Sequence, residues 1–264
     1  HGRDQRFDAL PQRGGNLFAT CHAGDFVITA QVYKAVLLAA LKLNAASGPV
    51  EVGATIFCFV HARPQDEEAG SPPGPTAIAV YTSSHSAPAK FLYELPYSGT
   101  ESTIEETFVV SGQGSSKQLI VIHSSDAPST FDIAGRLYDV TVLNVSPRPS
   151  VDEKAGKFFG LGADLVDQNG SIFFQYPYKD REHVTTAINS PLYRVSDANP
   201  VPAEVKSKAL LYPEPNSRQA TKSYLIKGDL VSVVDATGGW CNVRYKGKSK
   251  TIVKWLQCDL LAPR

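Results

Sequence analysis

Short apolar segments separated by turn-forming residues occupy most of the chain between residues 76 and 145. Five of these segments are rich in β-branched and aromatic residues and are bounded by Ser, Gly or Pro: 76–84, 89–97, 103–112, 117–125 and 135–145. In several of them apolar and polar positions alternate, which is the period of a half-buried strand. Strands at this short spacing are typical of a sandwich or barrel. We therefore predict an N-terminal β-sandwich-like domain over residues 20–146.

The first 64 residues combine helical and strand patterns. The polar, Gly-containing segment 1–19 predicts a loosely held arm. One possible helix is indicated by five apolar residues at helical spacing: Val32, Ala35, Val36, Ala39 and Leu43. Gly48-Pro49 would end this helix, but the β-branched residues at its start also allow a strand. Residues 51–64 predict one strand, and the charges, Gly and Pro of 65–75 predict a surface loop.

Two proline-containing stretches divide the rest of the chain. SPRPS at 146–150 is typical of a linker, because each proline removes a hydrogen-bond donor and stiffens the backbone. SDANPVPAEV at 196–205 indicates a second boundary. We predict a middle segment over 147–203, either a domain of its own or an extension of a neighbour. Inside it, Asn169-Gly170 between two hydrophobic runs predicts a β-hairpin.

The remaining residues, 204–264, predict a separate domain of short strands. The strand segments are ALLY, SYLIKGDLVSVVD interrupted by a glycine, WCNVRY, TIVKWL and CDLL, and a long loop, PEPNSRQATK, follows the first. Gly238-Gly239 and YKGKSK provide two hairpin turns. A small closed sheet is the usual way to hide strand edges in about sixty residues. The pattern predicts a small β-barrel.

This C-terminal stretch resembles the bacterial SH3-like domains of secreted and periplasmic cell-wall proteins. Four features carry the resemblance: ALLY in the first strand, Lys227-Gly228-Asp229 followed by Val231, a GW pair followed by V-x-Y, and a closing element of Trp255, Leu256, Asp259 and Leu260. The resemblance covers about a fifth of the chain. It implies a small β-barrel used as a binding or spacer module, often for peptidoglycan peptides or for a neighbouring domain, and it does not imply catalysis.

Aromatic residues of this domain are the predicted ligand-binding residues: Tyr212, Tyr224, Trp240, Tyr245 and Trp255. A barrel of this size cannot bury all of them completely. Tyr212 and Trp240 resemble part of the aromatic groove with which eukaryotic SH3 domains bind proline-rich peptides. ALLYPEP lacks the acidic, aromatic continuation of the eukaryotic motif, which argues against such ligands. The alternative is that Trp240 and Trp255 form the core or cover one end of the barrel.

Four lysines follow in and after the last hairpin: Lys246, Lys248, Lys250 and Lys254. Lysines at such a hairpin commonly keep a strand edge solvated and prevent further strand pairing. The more specific hypothesis is that they bind an acidic partner. Both alternatives stay open.

The four cysteines, Cys21, Cys58, Cys241 and Cys258, match no metal-binding spacing. Of the three possible connectivities we favour Cys21–Cys58 and Cys241–Cys258. The second disulfide would enclose sixteen residues and contribute about 3 kcal/mol in the chain-entropy model. Disulfides of this kind predict a periplasmic or secreted protein. Four buried, reduced cysteines in a cytosolic protein are the alternative.

Composition narrows the classes of partner. The chain has 26 basic and 26 acidic residues, whereas a surface for nucleic acid or anionic lipid normally brings a basic excess. Hydrophobic residues make up 42% of the sequence, which is enough for a packed core. No apolar run is long enough to predict a transmembrane helix. The first residue is His1 rather than methionine, which we take as an indication of a processed form.

Residues 123–126, His-Ser-Ser-Asp, bring together the side chains that nucleophilic hydrolases use. Adjacent residues of a strand point to opposite faces, and no G-x-S-x-G motif is present, so we interpret the cluster as the polar end of a strand. His61, His85 and His123 could meet across a sheet, but their scatter predicts no metal site. Cys21-His22 would be the place to look for a cysteine peptidase, the enzyme often found beside bacterial SH3-like domains.

Together these patterns predict a mostly β, multi-domain protein of the bacterial periplasm or cell surface. We expect non-enzymatic binding, without a cofactor, of a cell-wall peptide or of a protein partner in the envelope. A concrete form is an inhibitor or immunity protein against a cell-wall-active toxin or hydrolase. Two alternatives stay open, a cysteine-dependent cell-wall peptidase with a free Cys21 thiol and a purely structural spacer.

Overall fold

A computed structural model describes residues 45–62, 74, 76–84, 87–112, 116–127, 133–247 and 250–264. The described part of the chain is mostly β and is built from antiparallel sheets with two α-helices. This confirms the predicted β class. The predicted arm and nearly all of the predicted helix lie outside the described residues. The last positions of that helix, 45–47, belong to a strand.

The first sheet contains four antiparallel strands in sequence order: β1 (Ala45–Val52), β2 (Thr55–Ala62), β3 (Ala77–Ser84) and β4 (Ala87–Glu94). The single strand predicted over 51–64 is wrong, because β1 and β2 form a hairpin that turns at Gly53 and Ala54. Gly53 has a φ of 65°, a conformation that glycine adopts without steric cost. Glycine without a polar neighbour is a weak indication of a turn. Because apolar residues lie on both sides of Gly53, the turn was not predicted.

The second sheet contains six strands: β5 (Ser102–Ser111), β6 (Lys117–Asp126), β7 (Ile133–Asn144), β8 (Ser150–Val151), β9 (Gly162–Val166) and β10 (Ile172–Phe174). Their spatial order is β10-β9-β7-β6-β5, with β8 beside β7. The five strands predicted between residues 76 and 145 are therefore confirmed, with small differences at their ends. The hairpin predicted at Asn169-Gly170 is confirmed as the turn between β9 and β10. Strand β8 begins at Ser150, the last residue of the predicted linker, and pairs with β7.

Strand β6 is buried on both faces, which explains its continuous apolar run. Leu119 and Val121 pack in one cluster with Phe57 and Ile78 of the first sheet. Ile120 belongs to a second cluster on the opposite face. Because side chains alternate along a strand, one central strand can serve two cores.

Two short α-helices lie between the second sheet and the C-terminal strands. Helix α1 (Glu153–Phe159) starts at Asp152, whose carboxylate accepts a hydrogen bond from the Ala155 backbone N–H, and Gly160 follows its last turn. Helix α2 (Arg181–Asn189) is capped in the same way by Asp180. The hydrophobic run GKFF at the end of α1 did not predict a helix, because α1 has only seven residues, too few to show a helical period.

The C-terminal strands form a five-stranded antiparallel sheet and a two-stranded sheet. The strands are β11 (Val201–Val205), β12 (Ala209–Leu210), β13 (Tyr224–Leu225), β14 (Leu230–Thr237), β15 (Trp240–Lys246), β16 (Thr251–Gln257) and β17 (Leu261–Pro263). The larger sheet has the order β16-β15-β14-β11-β17, and β12 pairs with β13. The strands described here form open sheets, not a closed barrel. Strand β11 begins before the predicted boundary at residue 204.

One hydrophobic cluster joins the second sheet, both helices and the C-terminal sheets. It includes Ile120 of β6, Phe159 of α1, Val184 of α2 and Val233 of β14, all of them fully buried. The middle segment therefore packs between the second sheet and the C-terminal strands, and these parts share one core. This shared core positions the aromatic residues discussed next.

Candidate functional site

Trp240 is part of the core. Its side chain has no exposed surface. The Phe174 ring stacks on the indole with a centroid distance of 4.7 Å, and the Tyr212 ring meets it edge-on at 4.9 Å. A side chain without exposed surface cannot contact a ligand in this conformation. We therefore correct the predicted ligand-binding set by removing Trp240, for which the alternative of a core residue applies.

The middle segment of the same chain covers Trp240. The Gln257 side-chain amide donates a hydrogen bond of 3.0 Å to the Phe173 carbonyl oxygen. A Cβ added at Gly239, which has a φ of 85°, would lie 2.8 Å from Cδ of Pro177. Phe173, Phe174 and Pro177 thus lie against the aromatic face that includes Trp240. The chain covers this face with its own segment.

Helix α1 adds two hydrogen bonds to the same junction. The backbone N–H of Gly238 donates to the Phe158 carbonyl oxygen at 3.0 Å. The Thr237 hydroxyl donates to the Lys157 carbonyl oxygen at 2.7 Å. The Lys157 ammonium also forms an ion pair with Asp235 at 2.9 Å. The β14–β15 hairpin is therefore held by the end of the helix.

Tyr212 and Trp255 hold the segment that follows β12 against β16. The Tyr212 N–H donates to the Trp255 carbonyl oxygen at 2.8 Å, and the Trp255 N–H donates back at 3.0 Å. Tyr212 is buried, which raises the pKa of its phenol, whereas Trp255 is half-buried. Of these two predicted residues, only Trp255 has a sizeable surface to offer.

Tyr245 is hydrogen-bonded to the turn between β13 and β14. Its hydroxyl donates a hydrogen bond of 3.3 Å to Asp229, and the negative charge of Asp229 raises the pKa of the phenol. The second oxygen of the same carboxylate accepts a hydrogen bond of 2.9 Å from the Ile226 backbone N–H. Asp229 therefore has both oxygens engaged, and Tyr245 serves to fix the turn between β13 and β14.

Tyr224 is the most exposed of the five predicted aromatic residues, with 53% of its surface accessible. It lies directly opposite Leu210 across the β12–β13 pair. The Lys208 ammonium lies over its ring, 4.8 Å from the centroid. Leu210, Ile226 and Leu230 are also exposed, by 42%, 56% and 56%.

These four apolar residues lie among exposed lysines. We name the group the basic–apolar surface and define it by eight residues: Leu210, Tyr224, Ile226, Leu230, Lys206, Lys208, Lys222 and Lys227. Of these eight residues, the sequence analysis predicted only Tyr224 as a binding residue, because leucine and isoleucine in short strands are normally assigned to the core. Exposed Leu210 is followed by buried Leu211, and exposed Tyr224 by buried Leu225. This alternation along a strand is the pattern that could have indicated an exposed apolar face.

The lysine hairpin lies at the other end of β15 and β16. Lys246 and Lys250 are exposed there, and Lys254 is half-buried on β16. Lys248 lies outside the described residues. Nothing in this arrangement decides between a solvated edge and a contact with an acidic partner.

The predicted polar strand end lies at a small cavity of the second sheet. His123 is 3% exposed, and its Nε2 atom lies 3.3 Å from Oδ1 of Asp139 on the neighbouring strand. Ser98 and Ser125 share a hydrogen bond. The cavity that these residues line has a volume of about 30 Å³, which is room for about one water molecule and too little for an organic substrate.

Ser124 belongs to a different network on the opposite face of β6. Its hydroxyl donates to Glu105 and accepts a hydrogen bond of 2.7 Å from Nε of Arg136. The Arg136 side chain also forms an ion pair with Asp126. The two serines thus serve separate contacts, and within the described part of the chain neither is hydrogen-bonded to His123. This geometry supports the interpretation as a strand end, and it identifies Arg136, Asp139 and Glu105 as partners that adjacency in sequence could not reveal.

Cys241 and Cys258 form a disulfide with their Cα atoms 5.1 Å apart, as predicted. The Cys21–Cys58 pairing stays a prediction, because Cys21 lies outside the described residues. His85, one of the three histidines considered for a metal site, also lies outside them. His61 contacts Glu101, whose pKa is lowered chiefly by a hydrogen bond from the Thr76 backbone N–H.

Within the described ranges, no cluster of three or more His, Cys, Asp or Glu side chains is placed to bind a metal ion. Comparison of the chain with protein-family models, with curated proteins and with solved structures finds no match. No helix in the described part of the chain has the length and apolar character needed to cross a membrane.

Proposed function

We propose that this chain is a non-enzymatic binding protein of the bacterial envelope, in the periplasm or secreted. Its ligand is a cell-wall peptide or a protein partner, and an inhibitor or immunity protein against a cell-wall-active toxin or hydrolase is the concrete form of this proposal. The observation that carries it is the basic–apolar surface. Four half-exposed apolar side chains on one small hairpin region are unusual for a surface without a partner.

Two further observations support the proposal. The Cys241–Cys258 disulfide fits an oxidising compartment. The order of elements from β12 onward is a strand, a long loop, four strands joined by turns, a single-turn 3₁₀ helix at Cys258–Leu260 and a last strand. This order supports an SH3-like C-terminal domain, and such domains serve as binding modules.

The experiment that tests the proposal has two readouts on the full-length protein. The first is co-sedimentation with purified peptidoglycan sacculi, compared with sacculi from which an amidase has removed the stem peptides. The second is protection of sacculi against a panel of cell-wall hydrolases, followed by turbidity. Sedimentation that depends on stem peptides supports cell-wall binding, and protection without sedimentation supports the inhibitor form.

Two results would contradict the proposal. Release of new amino groups from sacculi, blocked by prior alkylation with iodoacetamide, would identify a cysteine peptidase. Absence of both sedimentation and protection would favour a structural spacer.

A further inference from the structure

We infer that the basic–apolar surface binds an acidic polypeptide segment whose carboxylates alternate with apolar side chains. This inference deepens the proposed function and rests on it, because it names the chemical class of the partner. It also moves the binding site away from the aromatic face around Trp240 that the resemblance to SH3-like domains indicates.

The apolar part of the surface is continuous along two strands and the following turn. Leu210 and Tyr224 are cross-strand neighbours, and such pairs have Cβ atoms about 5 Å apart. Ile226 lies two residues beyond Tyr224, so its side chain points to the same face as the tyrosine ring. The Asp229 N–H donates to the Ile226 carbonyl oxygen at 3.1 Å, which folds the turn between Ile226 and Leu230.

The basic part of the surface consists of four lysines. Lys206, Lys208, Lys222 and Lys227 are all exposed, and no ion pair to any of them exists in the described part of the chain. The Gly228 N–H donates to the Val205 carbonyl oxygen at 2.9 Å, which brings the turn with Lys227 next to the segment that contains Lys206 and Lys208.

Two carboxylates lie next to the lysines. Glu204 is paired with Arg264, whereas Asp229 accepts hydrogen bonds from the uncharged Ile226 N–H and Tyr245 hydroxyl and keeps its negative charge. Because the four lysines of the surface outnumber Asp229, the surface carries a local positive charge although the whole chain is neutral.

The position of Lys208 favours a polypeptide over a lipid surface. Its ammonium lies over the face of the Tyr224 ring, so the positive charge is at the apolar region itself. Insertion of Tyr224 into hydrocarbon would carry this charge out of water, which is costly. A polypeptide can place a carboxylate on the ammonium and an apolar side chain on Leu210 or Ile226 at the same time.

The test uses the full-length protein and four probes of stated composition. These are the random copolymer poly(Glu,Tyr), poly(Glu) alone, poly(Lys,Tyr), and vesicles of phosphatidylcholine with a quarter phosphatidylglycerol. Binding is measured by biolayer interferometry at low and at raised salt. The variants are the double charge reversal Lys208→Glu/Lys227→Glu and the apolar variant Ile226→Ser. Matched controls are Lys154→Glu on α1 and Val109→Ser on β5, both at exposed positions.

The inference predicts that poly(Glu,Tyr) binds more tightly than poly(Glu) and that poly(Lys,Tyr) does not bind. The double charge reversal should weaken poly(Glu,Tyr) binding by about tenfold, because it replaces two attractions by two repulsions. Ile226→Ser should weaken it by about fivefold through the lost apolar contact. The controls should leave binding unchanged, and circular dichroism confirms that each variant is folded.

The inference is overturned if poly(Glu,Tyr) does not bind, if the controls weaken binding as much as the surface variants, or if the vesicles bind and the copolymer does not. The same variants are then compared in the sacculus and hydrolase experiments. Sedimentation or protection that persists in Lys208→Glu/Lys227→Glu and Ile226→Ser would leave the proposed function intact and place its site elsewhere. Loss of sedimentation and of protection in these variants would show that the basic–apolar surface is the site of the proposed function.

Discussion

Removal of the Phe174 ring should destabilise the whole shared core and not only the middle segment. Phe174 is 5% exposed and stacks on Trp240 at 4.7 Å. A buried Phe→Ala change costs about 3–5 kcal/mol, and an aromatic pair contributes about 0.5–1.5 kcal/mol beyond the area that it buries. Because domains are stable by only about 5–15 kcal/mol, Phe174→Ala should remove a large fraction of the stability.

The assay is urea unfolding followed by tryptophan fluorescence. The chain has two tryptophans, Trp240 and Trp255, so the signal reports directly on the C-terminal sheet. We expect one cooperative transition in the wild type and a midpoint shifted to lower urea in Phe174→Ala, with a loss of about 3–5 kcal/mol. Phe91→Ala is the matched control, because Phe91 is 47% exposed on the first sheet, and it should cost less than about 1 kcal/mol.

Two results would refute the reasoning about Phe174. One is a loss below about 1 kcal/mol, which would mean that the ring does not hold the junction. The other is a wild-type protein that unfolds in two separate transitions, with Phe174→Ala leaving the tryptophan transition unmoved. The middle segment and the C-terminal strands would then be independent domains, contrary to the single cluster of buried residues that joins them.

Three further predictions concern single contacts. Gly239→Ala should lower the free energy of unfolding by more than Gly228→Ala. Both glycines have positive φ, but only a Cβ at Gly239 would meet a close neighbour, the Pro177 ring. Chemical denaturation of the two variants measures the difference. Reduction of the Cys241–Cys258 disulfide should cost about 3 kcal/mol, checked by denaturation with and without reductant. The folded pKa of Glu101 is lowered, so its small stabilising contribution is present above the ordinary carboxyl pKa and is lost as pH falls. Melting temperatures of Glu101→Gln and wild type should therefore converge in acid, and a difference that persists there would contradict this.

Local turn chemistry made several parts of the fold predictable. Asn169-Gly170 and Gly238-Gly239 form hairpins in which Gly170, Gly238 and Gly239 take positive φ, a conformation that glycine itself indicates. The strands between 76 and 145 were predictable from their β-branched composition and spacing. The β1–β2 hairpin was missed because Gly53-Ala54 lacks that turn chemistry, and helix α1 was missed because two turns give too few positions to define a helical period.

The candidate site was predictable only in part, because its environment is determined by contacts distant in sequence. The composition of ALLYPEP and GGWC indicates an aromatic face, but not that Phe174, 66 residues before Trp240, covers it. Similarly, the partner of His123 is Asp139 on the next strand and not the adjacent Ser124. The sequence around Ile226 also did not indicate whether its side chain is exposed or buried.

The buried polar atoms at the covered face bear on where a partner binds. Nε1 of Trp240 and Oδ1 of Asn242 have no hydrogen-bond partner among the described residues. They belong to the same strand two positions apart, so both point to the face that Phe174 covers. An unsatisfied buried polar group costs about 1–3 kcal/mol, and the aromatic rings stacked above the indole supply no strong acceptor for its N–H. A partner that reached these groups would first have to displace Phe174 and the hydrogen bonds of α1, and the loss of a buried phenylalanine ring alone costs about 3–5 kcal/mol. The basic–apolar surface requires no such displacement, and for that reason the first contact with a partner is expected there.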